Sequence, residues 1–220
     1  MRENTLDTTR TLPQLLRFVA PSIVMMLAMG IYTITDTLFV SRLVNTDALS
    51  AINIVCPMIN LIIGLSSMLA SGGVAVLCRD MGAGLLEKVR KNAALLCVCT
   101  IGLGCVLAIG GLLFTDELLQ LLHAKGRILP YARGYLSMLL LFTPFCMLQV
   151  LYQSMFVAAG RPLLGMVLAM CAGGVNVALD LAFMSGFHMG IEGSALATGI
   201  GYMVPAIYGC LLYTSPSPRD

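Results

Sequence analysis

The sequence predicts an all-α membrane protein, a bundle of six transmembrane helices. Of its 220 residues, 58% are hydrophobic and only 11% are charged, whereas a soluble domain is usually about one quarter charged. Apolar stretches of about 20 residues, long enough to cross a bilayer, recur along the whole chain. The formal net charge of +2 gives no indication of nucleic-acid binding. The expected surroundings are therefore a lipid bilayer.

The six predicted spans follow one another with short polar connections. Residues 1–14 are read as a cytoplasmic N-terminal segment and residues 15–213 as the six-helix unit. Residues 214–220, "TSPSPRD", do not continue an apolar span and are read as a non-native tail of a truncated chain. The spans are predicted at 15–40, 49–77, 92–114, 133–158, 163–184 and 193–213.

The basic residues predict the orientation of these spans. Segments on one side of the membrane carry eight Lys and Arg, and those on the other side carry four. Since cytoplasmic loops are enriched in Lys and Arg, the N-terminus and the C-terminus are both expected in the cytoplasm. The eight are Arg2, Arg10, Arg17, Arg79, Lys88, Arg90, Lys91 and Arg161, and the four are Arg42, Lys125, Arg127 and Arg133.

Four of the predicted spans contain a proline, namely Pro21, Pro57, Pro144 and Pro205. Proline removes one backbone hydrogen bond and permits a kink in a membrane helix. Several kinked helices favour a protein that changes conformation.

Two carboxylates, Asp36 and Asp180, lie inside predicted spans. An ionised Asp at a helix centre costs about 2.5–3.5 kcal/mol on insertion scales, so such a residue is a functional candidate that faces protein or water. The predicted topology places both near the outer ends of their spans. Two carboxyls at one depth repel unless they share a proton or a cation, and their oxygens are suitable ligands for a hard cation such as Na⁺.

Neutral oxygen and amide groups are expected around the two carboxylates. Asn176 precedes Asp180 by one helical turn and shares its face. The topology brings Thr198 and Tyr135 to a similar depth, and Tyr32 and Thr33 lie within a turn of Asp36. We therefore predict a proton or cation site at Asp36, Asn176, Asp180 and Thr198, with Tyr135, Tyr32 and Thr33 as further lining residues. No metal other than Na⁺ at this site is expected.

Enzyme and cofactor motifs are not found. The two histidines, His123 and His188, fall in predicted outer loops, and no Ser/His/Asp or Cys/His arrangement accompanies them. The eight cysteines form no CxxC pair and are read as small hydrophobic residues. Neither an enzyme nor a bound cofactor is predicted.

Four stretches together resemble the multidrug and toxic compound extrusion (MATE) family of transporters. They are "PSIVMMLAMGIYTITDTLFVSRL" in the first span, "RDMGAG" after the second, "AAGRP" after the fourth and "NVALDLAFM…MGIEGSALAT" across the last two. The resemblance runs from about residue 12 to residue 210. It implies one six-helix lobe, the N-terminal one, of a twelve-helix transporter that exports cationic, amphipathic compounds in exchange for Na⁺ or H⁺.

The resemblance also assigns roles to individual residues. The family's N-lobe cation site maps onto Asp36, Asn176, Asp180 and Thr198, and Tyr135 matches a position that lines it. Pro21 matches a first-helix proline linked to helix bending. Met29 departs from the pattern, since some members carry a polar residue there.

The expected partners are therefore the lipid bilayer, a small cationic substrate and a missing C-terminal lobe, and the expected location is the plasma membrane of a bacterium. Two alternatives remain at this level. The six-helix unit could act only as a homodimer, or it could be a membrane scaffold in which the carboxylates merely join helices.

Overall fold

The computed structural model describes residues 12–214 of the chain. These residues form helices and no strand, which confirms the predicted all-α class. The predicted segments 1–14 and 214–220 lie outside the described residues, apart from 12–14 and Thr214 at the two ends. Helices account for nearly all of the described part. They are α1 (Leu12–Leu43), α2 (Thr46–Gly82), α3 (Leu86–Leu113), α4 (Thr115–Leu121), α5 (Ile128–Leu141), α6 (Thr143–Ala158), α7 (Pro162–Asp180) and α8 (Ile191–Thr214).

The number of spans differs from the predicted six. Within residues 12–214, four helices are long and apolar enough to cross a membrane: α2, α3, α8 and α7 together with its continuation to Gly186. The pair α5–α6 makes a fifth if the bent pair is one span. Six simple helices are therefore not confirmed, since the described chain has eight α-helices. The first predicted span corresponds to α1. That α1 crosses the membrane stays a prediction.

The predicted fourth span, 133–158, is two helices that meet at an angle of 55°. Phe142 separates them, and its N–H donates to the Leu139 carbonyl (3.1 Å) in a tight turn. Pro144 explains the break, because it has no N–H to donate to the carbonyl four residues earlier. The backbone of α3 approaches closely here, since a Cβ on Gly104 would lie 2.7 Å from the Pro144 Cα.

The other prolines do not divide their helices. Pro57 lies inside the continuous helix α2, and Pro205 lies inside the continuous helix α8. The backbone of α1 is helical through Pro21, but its side chain lies outside the described residues, so bending at Pro21 stays a prediction. Of the kinks predicted from proline, the described chain shows a break at Pro144.

The buried apolar side chains form two hydrophobic cores. One core joins the end of α1, the first half of α2, α4, α5 and the start of α8, and it includes Val40, Tyr135, Leu136 and Ala195. The other joins the end of α2, α3, α6, α7 and the end of α8 around Tyr152 and Phe156. Helix α6 contributes to both cores, with Cys146 near its start in the first and its later turns in the second.

Helix α7 changes geometry at its carboxyl end. Leu181–Gly186 continues it as a π-helix, and Asp180 is the last residue before the change. A π-helical turn is rare and is often found at functional sites. The change places Asp180 where the backbone of α7 is already irregular, next to the short connection that leads into α8.

Candidate functional site

Asp36 and Asp180 meet at the contact between α1 and α7. Asp180 is fully buried, and Asp36 is half-buried on the face of α1 that packs against α7. Their carboxyl groups are close enough to interact electrostatically. The structure therefore brings together the two carboxylates that the sequence singled out.

Ser194 is a member of this group that the sequence reasoning missed. Its hydroxyl donates a 2.8 Å hydrogen bond to Asp36 Oδ1, and its side chain is fully buried in α8. The stretch "IEGSALAT" contained the signal, since Ser194 precedes Thr198 by four residues and shares its helical face. A serine alone among small residues has no other feature that distinguishes it from a packing residue.

Asn176 and Thr198 form a second buried pair one turn away from Asp180. The Asn176 side chain is hydrogen-bonded to the Thr198 hydroxyl at 3.1 Å. With the amide oxygen turned toward Thr198, it also accepts from the Thr198 backbone N–H at 3.0 Å. The amide nitrogen then donates to Asp180 Oδ2 at 3.3 Å, so this orientation satisfies both neighbours.

The close approach of α7 and α8 depends on small residues. A Cβ on Gly201 would lie 3.3 Å from the Ala172 carbonyl oxygen and 3.4 Å from the Asn176 Cβ. The α7 side of the contact is also built from small residues, and Ala169 and Ala172 are buried there. This spacing holds the Asn176 amide against α8, where Thr198 can reach it.

The electrostatics of the site leave one acceptor unsatisfied. Asp180 Oδ1 is buried and has no hydrogen-bond partner among the described residues. Within residues 12–214, neither Asp36 nor Asp180 forms an ion pair with Lys or Arg; the salt bridge present joins Arg133 to Asp116. Two ionised carboxylates that lie close together repel each other. The arrangement therefore favours binding of a proton or a cation between them.

The oxygen set around Asp180 is suited to a small hard cation. It comprises the two carboxyls and the Ser194 hydroxyl, contributed by α1, α7 and α8, with the Asn176–Thr198 pair hydrogen-bonded behind Asp180. Such neutral and anionic oxygens match Na⁺ better than a transition metal. Among the described residues, no cluster of three or more His, Cys, Asp or Glu side chains could hold a metal ion.

The other residues predicted at the site differ in burial where the structure describes them. Tyr135 is buried in the core that also contains Val40 and Ala195, which neighbour Asp36 and Ser194 along their helices. Thr33 is exposed on α1. The side chains of Tyr32 and Pro21 lie outside the described residues.

Comparison with known proteins gives a consistent assignment. The family model MatE matches residues 21–182. The chain is 26% identical over 200 residues to the multidrug export protein MepA of Staphylococcus haemolyticus (strain JCSC1435), covering 91% of this chain and 44% of that relative. It is 26% identical over 203 residues to MepA of Staphylococcus aureus (strain MRSA252), covering 92% and 45%.

Solved structures agree on the fold. An outward-facing multidrug resistance MATE family transporter of the MOP superfamily matches with a TM-score of 0.85 at 23% identity, covering 93% of this chain and 48% of that one. A MOP superfamily transporter from Pyrococcus furiosus matches with a TM-score of 0.84 at 23% identity and the same coverage. The chain spans about half the length of the relatives that it matches.

Members of this family are transporters and not enzymes. The model match covers most of the chain, and the matched region includes Asp36, Asn176 and Asp180. The chain belongs to the MatE family.

Proposed function

We propose that this chain is the N-terminal lobe of an ion-coupled exporter, and that Asp36 and Asp180 bind the coupling ion. The ion is H⁺ or Na⁺, and no other cofactor takes part. The export of cationic or amphipathic compounds follows from the similarity to proteins named multidrug export proteins. Because the chain spans about half the length of those relatives, the transported compound is expected to bind between this lobe and a second one.

One observation supports this proposal above the others. Asp180 is fully buried, is near a second carboxyl, and has an oxygen without a hydrogen-bond partner among the described residues. A structural carboxylate in a protein interior is normally paired with a basic group or fully hydrogen-bonded. A carboxyl pair that lacks such a partner gains most from a proton or a cation.

Ion binding at this point can change how the helices pack. Asp36 belongs to α1, whereas Asp180 and Asn176 belong to α7, and Ser194 and Thr198 belong to α8. A cation between the carboxyls holds α1 against the other two helices, and its loss leaves two like charges that push α1 away. Movement of α1 is thus the step through which ion binding would alter a substrate cavity in alternating access.

The proposed orientation places both termini in the cytoplasm of a bacterial cell, with the protein spanning the plasma membrane several times. The basic residues on the two sides favour this arrangement. The carboxyl pair then lies in the outer half of the bilayer.

Ion-linked stability of the chain in lipid nanodiscs tests the proposal. A ligand that binds the folded state at about 100 times its Kd stabilises that state by about 2.7 kcal/mol. We expect the midpoint temperature of unfolding to rise when the pH is lowered or when NaCl replaces choline chloride. Asp36→Asn and Asp180→Asn should each remove the response, while Asp47→Asn, at the start of α2, should keep it.

A response that persists unchanged in both Asn variants would show that the ion binds elsewhere. No response in the wild type to either protons or Na⁺ would favour the scaffold alternative, in which the carboxylates only join helices. A response that appears only in a dimeric preparation would favour the homodimer.

A further inference from the structure

A small cavity lies beside the Asn176–Thr198 pair. It has a volume of about 20 Å³ and is lined by Gln149, Ala169, Ala172, Gly173, Asn176, Thr198, Gly201 and Tyr202. A cavity needs about 10–15 Å³ of such volume, and two to four polar partners, to hold one water molecule. This cavity meets both conditions for a single water.

Gln149 of α6 lines this cavity. Its side chain is 6% exposed, and its Oε1 has no hydrogen-bond partner among the described residues. A buried amide oxygen without a donor is destabilising, so a hydrogen-bond partner for it is expected. The oxygen without a partner and the water-sized cavity thus involve the same side chain.

We propose that Gln149 is a positioning residue of the cation site, which it supports by holding one water molecule against Thr198. The water donates one hydrogen bond to Gln149 Oε1 and a second to Thr198 Oγ1. The Thr198 hydroxyl then donates to the Asn176 amide oxygen, and the Asn176 amide nitrogen donates to Asp180 Oδ2. The inference rests on the proposed function, because it concerns the same carboxyl pair.

The direction of each bond in this chain gives Gln149 its effect. Gln149 Oε1 can only accept, so the water must donate to it, and the lone pair of Thr198 Oγ1 takes the other hydrogen. This leaves the Thr198 hydroxyl proton for Asn176, which turns the amide nitrogen toward Asp180. The same orientation was the one that satisfied both neighbours of Asn176. Hydrogen bonds arranged in such a chain strengthen one another.

The arrangement also links α6 to the ion. Gln149 is the α6 residue among those that line the cavity, whereas the cation ligands belong to α1, α7 and α8. A change of ion occupancy at Asp180 would therefore reach α6 through the water. Helix α6 begins at the 55° bend with α5. A change of ion occupancy would therefore act on a helix that adjoins an existing break.

A structure of the 220-residue chain that shows ordered water tests the proposal directly. We expect a water within hydrogen-bonding distance of both Gln149 Oε1 and Thr198 Oγ1. It should be lost in Gln149→Met, which keeps the side-chain length but not the acceptor, and retained in Gln149→Glu. A cavity without water in the wild type, or a protein donor on Gln149 Oε1, would overturn the proposal whatever the coupling ion is.

Ion-linked stability provides the functional measurement, with Na⁺ and protons as the probes. We expect Gln149→Met to need about 10-fold more of whichever ion stabilises the wild type, since loss of an outer-shell partner typically costs 10–100-fold in affinity. A merely structural role would lower the unfolding temperature equally at every ion concentration and would leave the half-maximal concentration unchanged, which would contradict the proposal. Ser154→Ala is the matched control on α6, since its hydroxyl donates only to the Val150 carbonyl of the same helix (3.1 Å).

The two hypotheses fail in different ways. If the wild type responds to an ion and Asp180→Asn does not, the carboxyl site stands. A Gln149→Met variant that then matches the wild type refutes the water-mediated role alone. If the wild type itself shows no ion response, the proposed function fails, and the water density still decides whether Gln149 holds a water.

Discussion

Ser194 is the residue that fixes Asp36 to α8. Its hydroxyl is fully buried and donates to Asp36 Oδ1 at 2.8 Å. Hydrogen bonds to a charged group contribute about 1.5–3 kcal/mol. A carboxylate on α1 that is held in this way has a defined position relative to Asp180, so the proposed cation would bind between them with little reorganisation.

We expect Ser194→Ala to weaken ion binding without abolishing it. Loss of one hydrogen bond to Asp36 should lower stability by about 1.5–3 kcal/mol in the ion-bound state. The measurement is the unfolding temperature in nanodiscs with and without the stabilising ion. Ser50→Ala is the control, because that hydroxyl donates only to a carbonyl of its own helix, Thr46 O, at 3.0 Å. Equal effects of the two variants would contradict the role given to Ser194.

At the residue scale, the sequence was most informative at positions where a charged side chain lies within an apolar span. Asp36 and Asp180 stood out because a charge in an apolar span is costly, and Asn176 followed from its spacing. Ser194 and Gln149 could not be found in this way, because neutral polar side chains are common in membrane helices. Their importance depends on which helices meet, and only the three-dimensional packing supplies that.

At the scale of elements, the α5–α6 bend organises the lobe. The Phe142 ring at the bend packs directly on Gly199 of α8, and a Cβ at that glycine would overlap the ring. The bend, the start of α6 and the face of α8 that carries Thr198 are therefore held in one contact. The sequence predicted a kink at Pro144 but read the span as one helix.

Gly199→Ala should destabilise the chain by about 1–3 kcal/mol, since an added methyl group must displace the Phe142 ring. The double variant Gly199→Ala/Phe142→Leu should recover part of the loss, because the smaller side chain leaves room. Gly174→Ala is the matched control, as a Cβ there meets nothing within 4 Å. Unfolding temperatures of the wild type, Gly199→Ala, Phe142→Leu and the double variant measure the coupling, and strictly additive effects would rule out the proposed contact.

Two elements were not predicted at all. The short helix α4 has only 7 residues, too few for a periodic pattern to stand out between α3 and α5. The π-helical continuation Leu181–Gly186 has no sequence signature, because its formation depends on how the end of α7 packs. Both lie next to the predicted loops, where patterns of hydrophobicity carry the least information.

At the scale of the whole molecule, the chain corresponds to about half of its relatives. The described part exposes many large apolar side chains, such as Leu27, Ile31 and Met68, as expected for surfaces in contact with lipid or with a second lobe. Alternating access needs two bodies that move against each other. We therefore expect a single lobe to bind the ion but to support coupled export only when a second lobe is joined to it.

We propose that the Asp36–Asp180 pair couples an ion gradient to export. The most direct test is efflux of a fluorescent cationic dye from proteoliposomes, driven by a pH or Na⁺ jump, by this chain joined to a C-terminal lobe of a MatE relative. We expect export by the joined protein, none by the chain alone, and none after Asp36→Asn or Asp180→Asn at equal expression. Transport at the wild-type rate by both Asn variants would contradict the account, because the carboxylates would then serve only to hold the helices together.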